Sequence, residues 1–200
     1  EDYRTSEQNS ICSPECRDEG MLVNLQSYID GQNDKDMLII LHTMGSHGPA
    51  YYKRYPEEFE VFVPVCKTSQ LNECTDQEIS NAYDNTILYA DYFLSKVLGL
   101  LKSNSQELDT AMFYVSDHGE SLGENGLYLH GMPYFMAPDE QIDVPALMWL
   151  NDSMSKVFDI ESIKNKEDLP LSHDNLFHTL LGLMGVETKL YDKGLDLMTK

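Results

Sequence analysis

The run AMFYV (residues 111–115) ends directly in SDHGESLGENGLYLHG (116–131). A short apolar run rich in aromatic and β-branched residues reads as a buried strand of a parallel sheet. The stretch after it holds Asp117, His118 and His130, with Glu120, Glu124 and four glycines among them. A packed core has no use for that composition. A strand end does, because α/β proteins build their sites beyond the carboxyl ends of their strands. Adjacent Asp117 and His118 on a turning backbone can face one point, and carboxylate and imidazole both suit zinc. Gly119 removes a Cβ there and lets the chain turn sharply. The competing reading makes Asp117 a helix cap and leaves His118 in solvent.

A second apolar run, MLIILH (37–42), leads into HTMGSHGP (42–49). It too is expected to be a buried strand with a histidine loop at its end. His42 closes that strand and could instead point into the core, whereas His47 precedes Gly48-Pro49 in a tight turn. Four of the six histidines thus fall in two strand-end loops. Zinc with mixed oxygen and nitrogen ligands polarises phosphoryl oxygens and activates a hydroxyl or water. Further histidines nearby could hold a second metal, bind phosphate or protonate a leaving group. The chain has no P-loop, no GxGxxG and no nucleophile elbow, which leaves metal-assisted phosphoryl or sulfuryl chemistry.

The remaining pattern supports an α/β class with a mostly parallel sheet. Residues 1–19 are polar and read as loop, followed by a short helix over Gly20–Ile29 that stops at Asp30-Gly31. A long loop rich in Tyr and Pro is expected over 48–74. Within it Tyr51, Tyr52, Lys53, Arg54 and Tyr55 could meet a lipid head group or form a packed surface. Thr75–Leu101 is the clearest helix, with Thr75 and Glu78 as a capping box and apolar residues at helical spacing. Residues 120–143 read as a second long loop, in which Glu120 and Glu124 are expected to be solvated rather than to support a metal ligand. PALMWL (145–150) is a third strand. Ser172 caps a last helix through Leu176, Phe177, Leu180 and Leu181 to Met184, stopped by Gly185. His173 and His178 on that helix read as structural.

The formal charge of −20 opposes nucleic-acid binding and attraction to anionic lipid. No run reaches the ~20 apolar residues of a membrane span. A chain opening on Glu1, with neither Met nor signal peptide, is expected to be a piece of something longer. The four cysteines form two close pairs, Cys12 with Cys16 and Cys66 with Cys74. Neither pair has the C-x₂-C spacing of a zinc ribbon. Two local disulfides fit better and imply an oxidising compartment such as the periplasm; the alternative is four free thiols.

Five segments, HTMGSHGPAYYKRYP, NAYDNTILYADYFL, SDHGESLGENGLYLHGMPYFMAP, EQIDVPALMW and SHDNLFHTLLGLMGV, together resemble the bacterial phosphoethanolamine transferases that modify lipid A. The resemblance runs over nearly the whole chain. It implies an alkaline phosphatase/sulfatase-like α/β sandwich with one or two Zn²⁺ at the strand ends. Asp117 and His118 match the zinc ligands of that family, and His47 and His130 match histidines that line its site and hold phosphate or a second metal. The two cysteine pairs match two of its disulfides. The donor would be phosphatidylethanolamine and the acceptor lipid A or another envelope molecule, with consequences for polymyxin resistance. The enzyme would stand at the periplasmic face of the bacterial inner membrane. The threonine nucleophile, a further glutamate ligand and the membrane helices of that family are not matched here. Thr5 and Thr43 lack the motif context. Residues 1–200 therefore resemble the C-terminal part of a single catalytic domain, expected to be inactive alone. A sulfatase-type or phosphodiesterase hydrolase of the same superfamily, and a non-catalytic fragment, are the rival readings.

Overall fold

The structure, a computed structural model, describes residues 2–32 and 35–199. Among them are six α-helices and four strands: α1 (Leu25–Asp30), α2 (Asp76–Asn104), β1 (Ala111–Val115), β2 (Ser121–Leu122), β3 (Tyr128–Leu129), α3 (Asp139–Ile142), β4 (Ala146–Leu150), α4 (Met154–Val157), α5 (Ile160–Lys164) and α6 (Asp174–Leu183). No helix among the described residues is long and apolar enough to cross a membrane. The chain divides into two compact units. The first comprises Glu1–Asn33, Ile40–Leu100 and His118–Ala146, and the second Asp34–Ile39, Leu101–Asp117 and Leu147–Lys200.

In the first unit α2 is the organising element. Its start is the expected capping box: the Glu78 carboxylate accepts from the Thr75 N–H (2.8 Å), and the Glu78 N–H donates to Thr75 Oγ1 (3.3 Å). Ile79, Ala82, Tyr89, Phe93 and Val97 bury one stripe of the helix. Ile79 and Ala82 pack with Tyr51, Cys66 and Leu71, and Leu122, Tyr128 and Leu129 lie against that cluster. The buried stripe is not all apolar. Asn81, Asn85 and Thr86 are buried too, whereas Ile87 is exposed. Each of these polar residues holds a loop. Asn81 donates to the Pro64 carbonyl (2.8 Å). Asn85 accepts from the N–H groups of Val61 (3.0 Å) and Phe62 (2.9 Å). Thr86 Oγ1 hydrogen-bonds Ser46 Oγ (2.6 Å). Buried polar groups need such partners, and here the partners are backbone and hydroxyl groups of the loops.

The two expected long loops contain more structure than anticipated. Residues 48–74 carry three 3₁₀ turns, at Tyr51–Lys53, Glu57–Phe59 and Leu71–Glu73. Within 120–143, β2 and β3 form an antiparallel hairpin pairing Ser121 with Leu129 and Leu122 with Tyr128, and α3 follows. Both cysteine pairs are disulfides, Cys12–Cys16 and Cys66–Cys74, as the spacing suggested.

In the second unit β1 lies beside β4 in a two-stranded sheet. The buried Asn151 joins their ends: its N–H donates to the Thr110 carbonyl and its amide to the Leu108 carbonyl, both at 3.0 Å. Ser172 Oγ accepts from the Asp174 N–H (3.2 Å) at the start of α6. At its end Gly185 has φ +60, the Val186 N–H reaches the Leu181 carbonyl (2.9 Å) and the Gly185 N–H that of Gly182 (3.2 Å). That is the Schellman arrangement expected of a glycine stop.

MLIILH is the clear departure. Residues 37–42 take no strand, and Leu38 and Ile40 are 52% and 77% exposed. Apolar composition raises strand propensity, but a strand exists only as one side of a ladder. None forms on this run among the described residues.

Candidate metal centre

Three loops of the first unit converge on a group of histidines. The rings of His118 and His130 stack at 3.7 Å between centroids, and His47 meets them edge-on at 6.1 and 5.3 Å. Among the described residues, one set of candidate ligands stands close enough to share an ion: His118, Glu120 and His130, with ligand atoms all within 4.8 Å of one another. His47 stands beside that set. Asp117 is exposed and lies outside it, and His42 is exposed as well.

Glu120 is the residue that the sequence reading undervalued. It is buried, at 7% exposure, not solvated, while Glu124 is exposed as expected. Its Oε1 accepts from the Gly48 N–H (3.1 Å) and faces His130 Nδ1 at 3.2 Å. One carboxylate thus ties the His47 loop to the His130 loop. Its Oε2 is buried, and so is the Tyr51 hydroxyl, which stands near enough to interact with the Glu120 carboxylate. Burial, and then the charge of Glu120, pushes the Tyr51 phenol far above its ordinary range, so Tyr51 stays neutral. A buried carboxylate grouped with two imidazoles is a donor set that a divalent zinc ion satisfies.

Each loop is fixed by contacts that the local sequence does not announce. Asp18 accepts from the N–H groups of Met44 (2.9 Å) and Gly45 (3.1 Å), holding the turn in front of His47. Burial raises the Asp18 carboxyl above the usual aspartate range, against the pull of those two hydrogen bonds. Arg54 Nε donates to the His47 carbonyl (2.7 Å). A Cβ on Gly48 would meet Leu129 at 2.5 Å and the Tyr51 hydroxyl at 2.8 Å. A Cβ on Gly119 would come within 2.1 Å of the Glu140 carbonyl, and the Gly119 N–H donates to the Gln141 carbonyl (3.0 Å). Leu129, at φ +65, turns the chain in the residue before His130.

The other sequence candidates have structural surroundings. Tyr51 and Tyr55 are buried in the core. Lys53 pairs with Glu15 at 3.0 Å. His178 Nδ1 accepts from the Asp192 N–H (2.9 Å). In the second unit His173 Nε2 stands 2.8 Å from the Ser116 carbonyl, next in sequence to Asp117.

The comparisons with known proteins place the fold in the alkaline phosphatase/sulfatase class. The chain belongs to the sulfatase family, whose model matches residues 1–186. It is 50% identical over 189 residues to phosphatidylethanolamine transferase Mcr-2 of Escherichia coli. It is 47% identical over 187 residues to phosphoethanolamine transferase EptA of Escherichia coli K12. Each alignment covers 92% of this chain and 34% of the relative, so the chain spans about a third of their length. The crystal structure of the soluble domain of lipooligosaccharide phosphoethanolamine transferase A from Neisseria meningitidis superposes with a TM-score of 0.91 at 41% identity. That match covers 99% of this chain and 60% of that one.

Proposed function

We propose that the chain is the C-terminal part of the catalytic domain of a zinc-dependent phosphoethanolamine transferase at the periplasmic face of the bacterial inner membrane. The observation that carries this reading is the His118–Glu120–His130 group, with the buried Glu120 carboxylate tying the His47 loop to the His130 loop. Identity of 47–50% to two transferases supports the choice of reaction. The donor is phosphatidylethanolamine and the acceptor lipid A, which links the activity to polymyxin resistance.

Zinc bound there would supply a Lewis acid for the phosphoryl oxygens. His118, Glu120 and His130 are its proposed ligands, with Asp117, next to His118 in sequence, as a further one. His47, beside that set, binds phosphate oxygens or a second zinc and gives a proton to the departing alcohol. A hydroxyl nucleophile attacks the donor phosphorus; its O–P bond forms, the bond to the glycerol oxygen breaks, and diacylglycerol leaves with a proton. An oxygen of a lipid A phosphate then attacks the same phosphorus and releases the nucleophile. That nucleophile and the membrane attachment are proposed to lie in segments beyond these 200 residues.

The test is lipid A mass spectrometry on cells carrying the full-length protein. His118→Ala and Glu120→Gln are expected to lower phosphoethanolamine addition at least about a hundredfold, and the purified variants to lose zinc by atomic absorption. Unchanged addition by His118→Ala would overturn the site. Hydrolysis of a soluble nitrophenyl ester with no transfer to lipid would favour a hydrolase instead.

A further inference from the structure

The loop after His130 turns its apolar side chains outward. Tyr134, Phe135 and Met136 are 80%, 86% and 58% exposed. The turn that presents them is regular: the N–H groups of Met136 and Ala137 both donate to the Pro133 carbonyl, at 2.8 and 2.9 Å. Its base is tied to the frame of the metal centre. The Met132 N–H donates to Gln141 Oε1 (3.4 Å), and the buried Gln141 donates to Oγ of the buried Ser121 (2.9 Å). Ser121 follows Glu120 directly. Three consecutive large apolar groups on a braced turn differ from the scattered exposed leucines of any surface, and such a patch marks a surface that a partner covers.

Charge narrows the partner. The chain carries −20, and the exposed Asp139 and Glu140 lie just beyond the tip, so an anionic surface is repelled. What remains attractive is apolar insertion. A tyrosine beside phenylalanine and methionine suits the boundary of a bilayer, with rings among the acyl chains and the phenol at head-group level. A net-neutral, zwitterionic leaflet offers that boundary without the repulsion. We propose that Tyr134–Met136 is a membrane-docking tip that inserts into a zwitterionic phospholipid leaflet and brings lipid phosphates to the His118–Glu120–His130 group. The purpose of docking rests on the transferase reading; the docking itself does not.

The test uses the whole chain with Phe135→Trp as reporter in a Trp149→Phe background, which leaves the reporter as the one tryptophan. Vesicles of phosphatidylcholine and phosphatidylethanolamine are expected to shift its emission to the blue. Soluble phosphoethanolamine should leave it unmoved, and phosphatidylglycerol in the vesicles should weaken the shift. The parent chain should sediment with zwitterionic vesicles, and the Tyr134→Ser/Phe135→Ser/Met136→Ser variant at least about tenfold less. Its circular dichroism should match the parent, because the replaced groups face solvent. Emission unmoved by vesicles, or sedimentation unchanged by the three serines, would overturn the proposal. So would lipid-free ultracentrifugation showing that the tip joins two copies of the chain. Vesicle docking with no transfer by the full-length protein would sink the transferase reading and leave the tip. Transfer that the three serines leave untouched, with docking also unchanged, would sink the tip alone.

Discussion

Two apolar runs lead into the histidine loops, and they behave differently. AMFYV becomes β1, with β4 beside it; MLIIL takes no strand and exposes Leu38 and Ile40. Yet both loops are held. Asp18 and Thr86 fix the His47 turn, and Glu120 and Gln141 fix the loop of His118 and His130. The difference teaches that the site's geometry rests on buried polar anchors reaching across the chain. A strand behind the loop is a second support, not the first.

The strongest way to break the comparison is to disturb an anchor while leaving both runs intact. Gly119→Ala drives a methyl against the Glu140 carbonyl, a backbone atom that cannot swing aside. It is expected to destabilise by about 3 kcal/mol in urea titrations. Gly99→Ala, on an exposed face of α2 with nothing within 4 Å, should instead stabilise by about 0.5–1 kcal/mol.

A direct comparison of the runs should give a smaller contrast. Phe113→Ala in the half-buried β1 is expected to cost about 2 kcal/mol. Ile40→Ser should stay within about 0.5 kcal/mol. Equal costs would mean that MLIIL is packed after all. Thr75→Ala removes half of the capping box and should cost about 1 kcal/mol, read from the same titrations.

The smallest effect concerns pH. Burial raises the Asp18 carboxyl, so the folded chain holds this proton more tightly than the unfolded one. Stability from this group is therefore full below the ordinary aspartate value of about 3.9 and falls as pH rises through the raised value. Asp18→Asn should flatten that part of the profile in denaturant midpoints measured across acid pH. A slope of the same size in both proteins would remove Asp18 as its source.

Much of this was legible in the sequence because the signals are local. The Thr75–Glu78 box, the Gly185 stop and the close cysteine pairs each depend on neighbours a few residues away, and the AMFYV strand found its ladder partner in β4. The clustering of His47, His118 and His130 was legible as well, since strand ends are where α/β folds gather sites. Glu120 was not. An acid in a Gly- and Glu-rich loop looks solvated, and its burial depends on an N–H at Gly48, far away in sequence. The same applies to Asn81, Asn85 and Thr86, which hydrophobic periodicity assigns to the wrong side of α2. The β2–β3 hairpin did leave a signal: Asn125-Gly126 is a strong turn pair, and both residues have positive φ, +55 and +75. MLIILH failed for the opposite reason, since composition cannot supply a neighbouring strand.

The most direct test of the metal centre is anomalous diffraction at the zinc edge on crystals of this chain grown with zinc. The expected result is a peak within about 2.0–2.2 Å of ligand atoms of His118, Glu120 and His130, with the Glu120 Oε2 oxygen among them. A well-ordered site with no peak there, or a peak held by other residues, would contradict it.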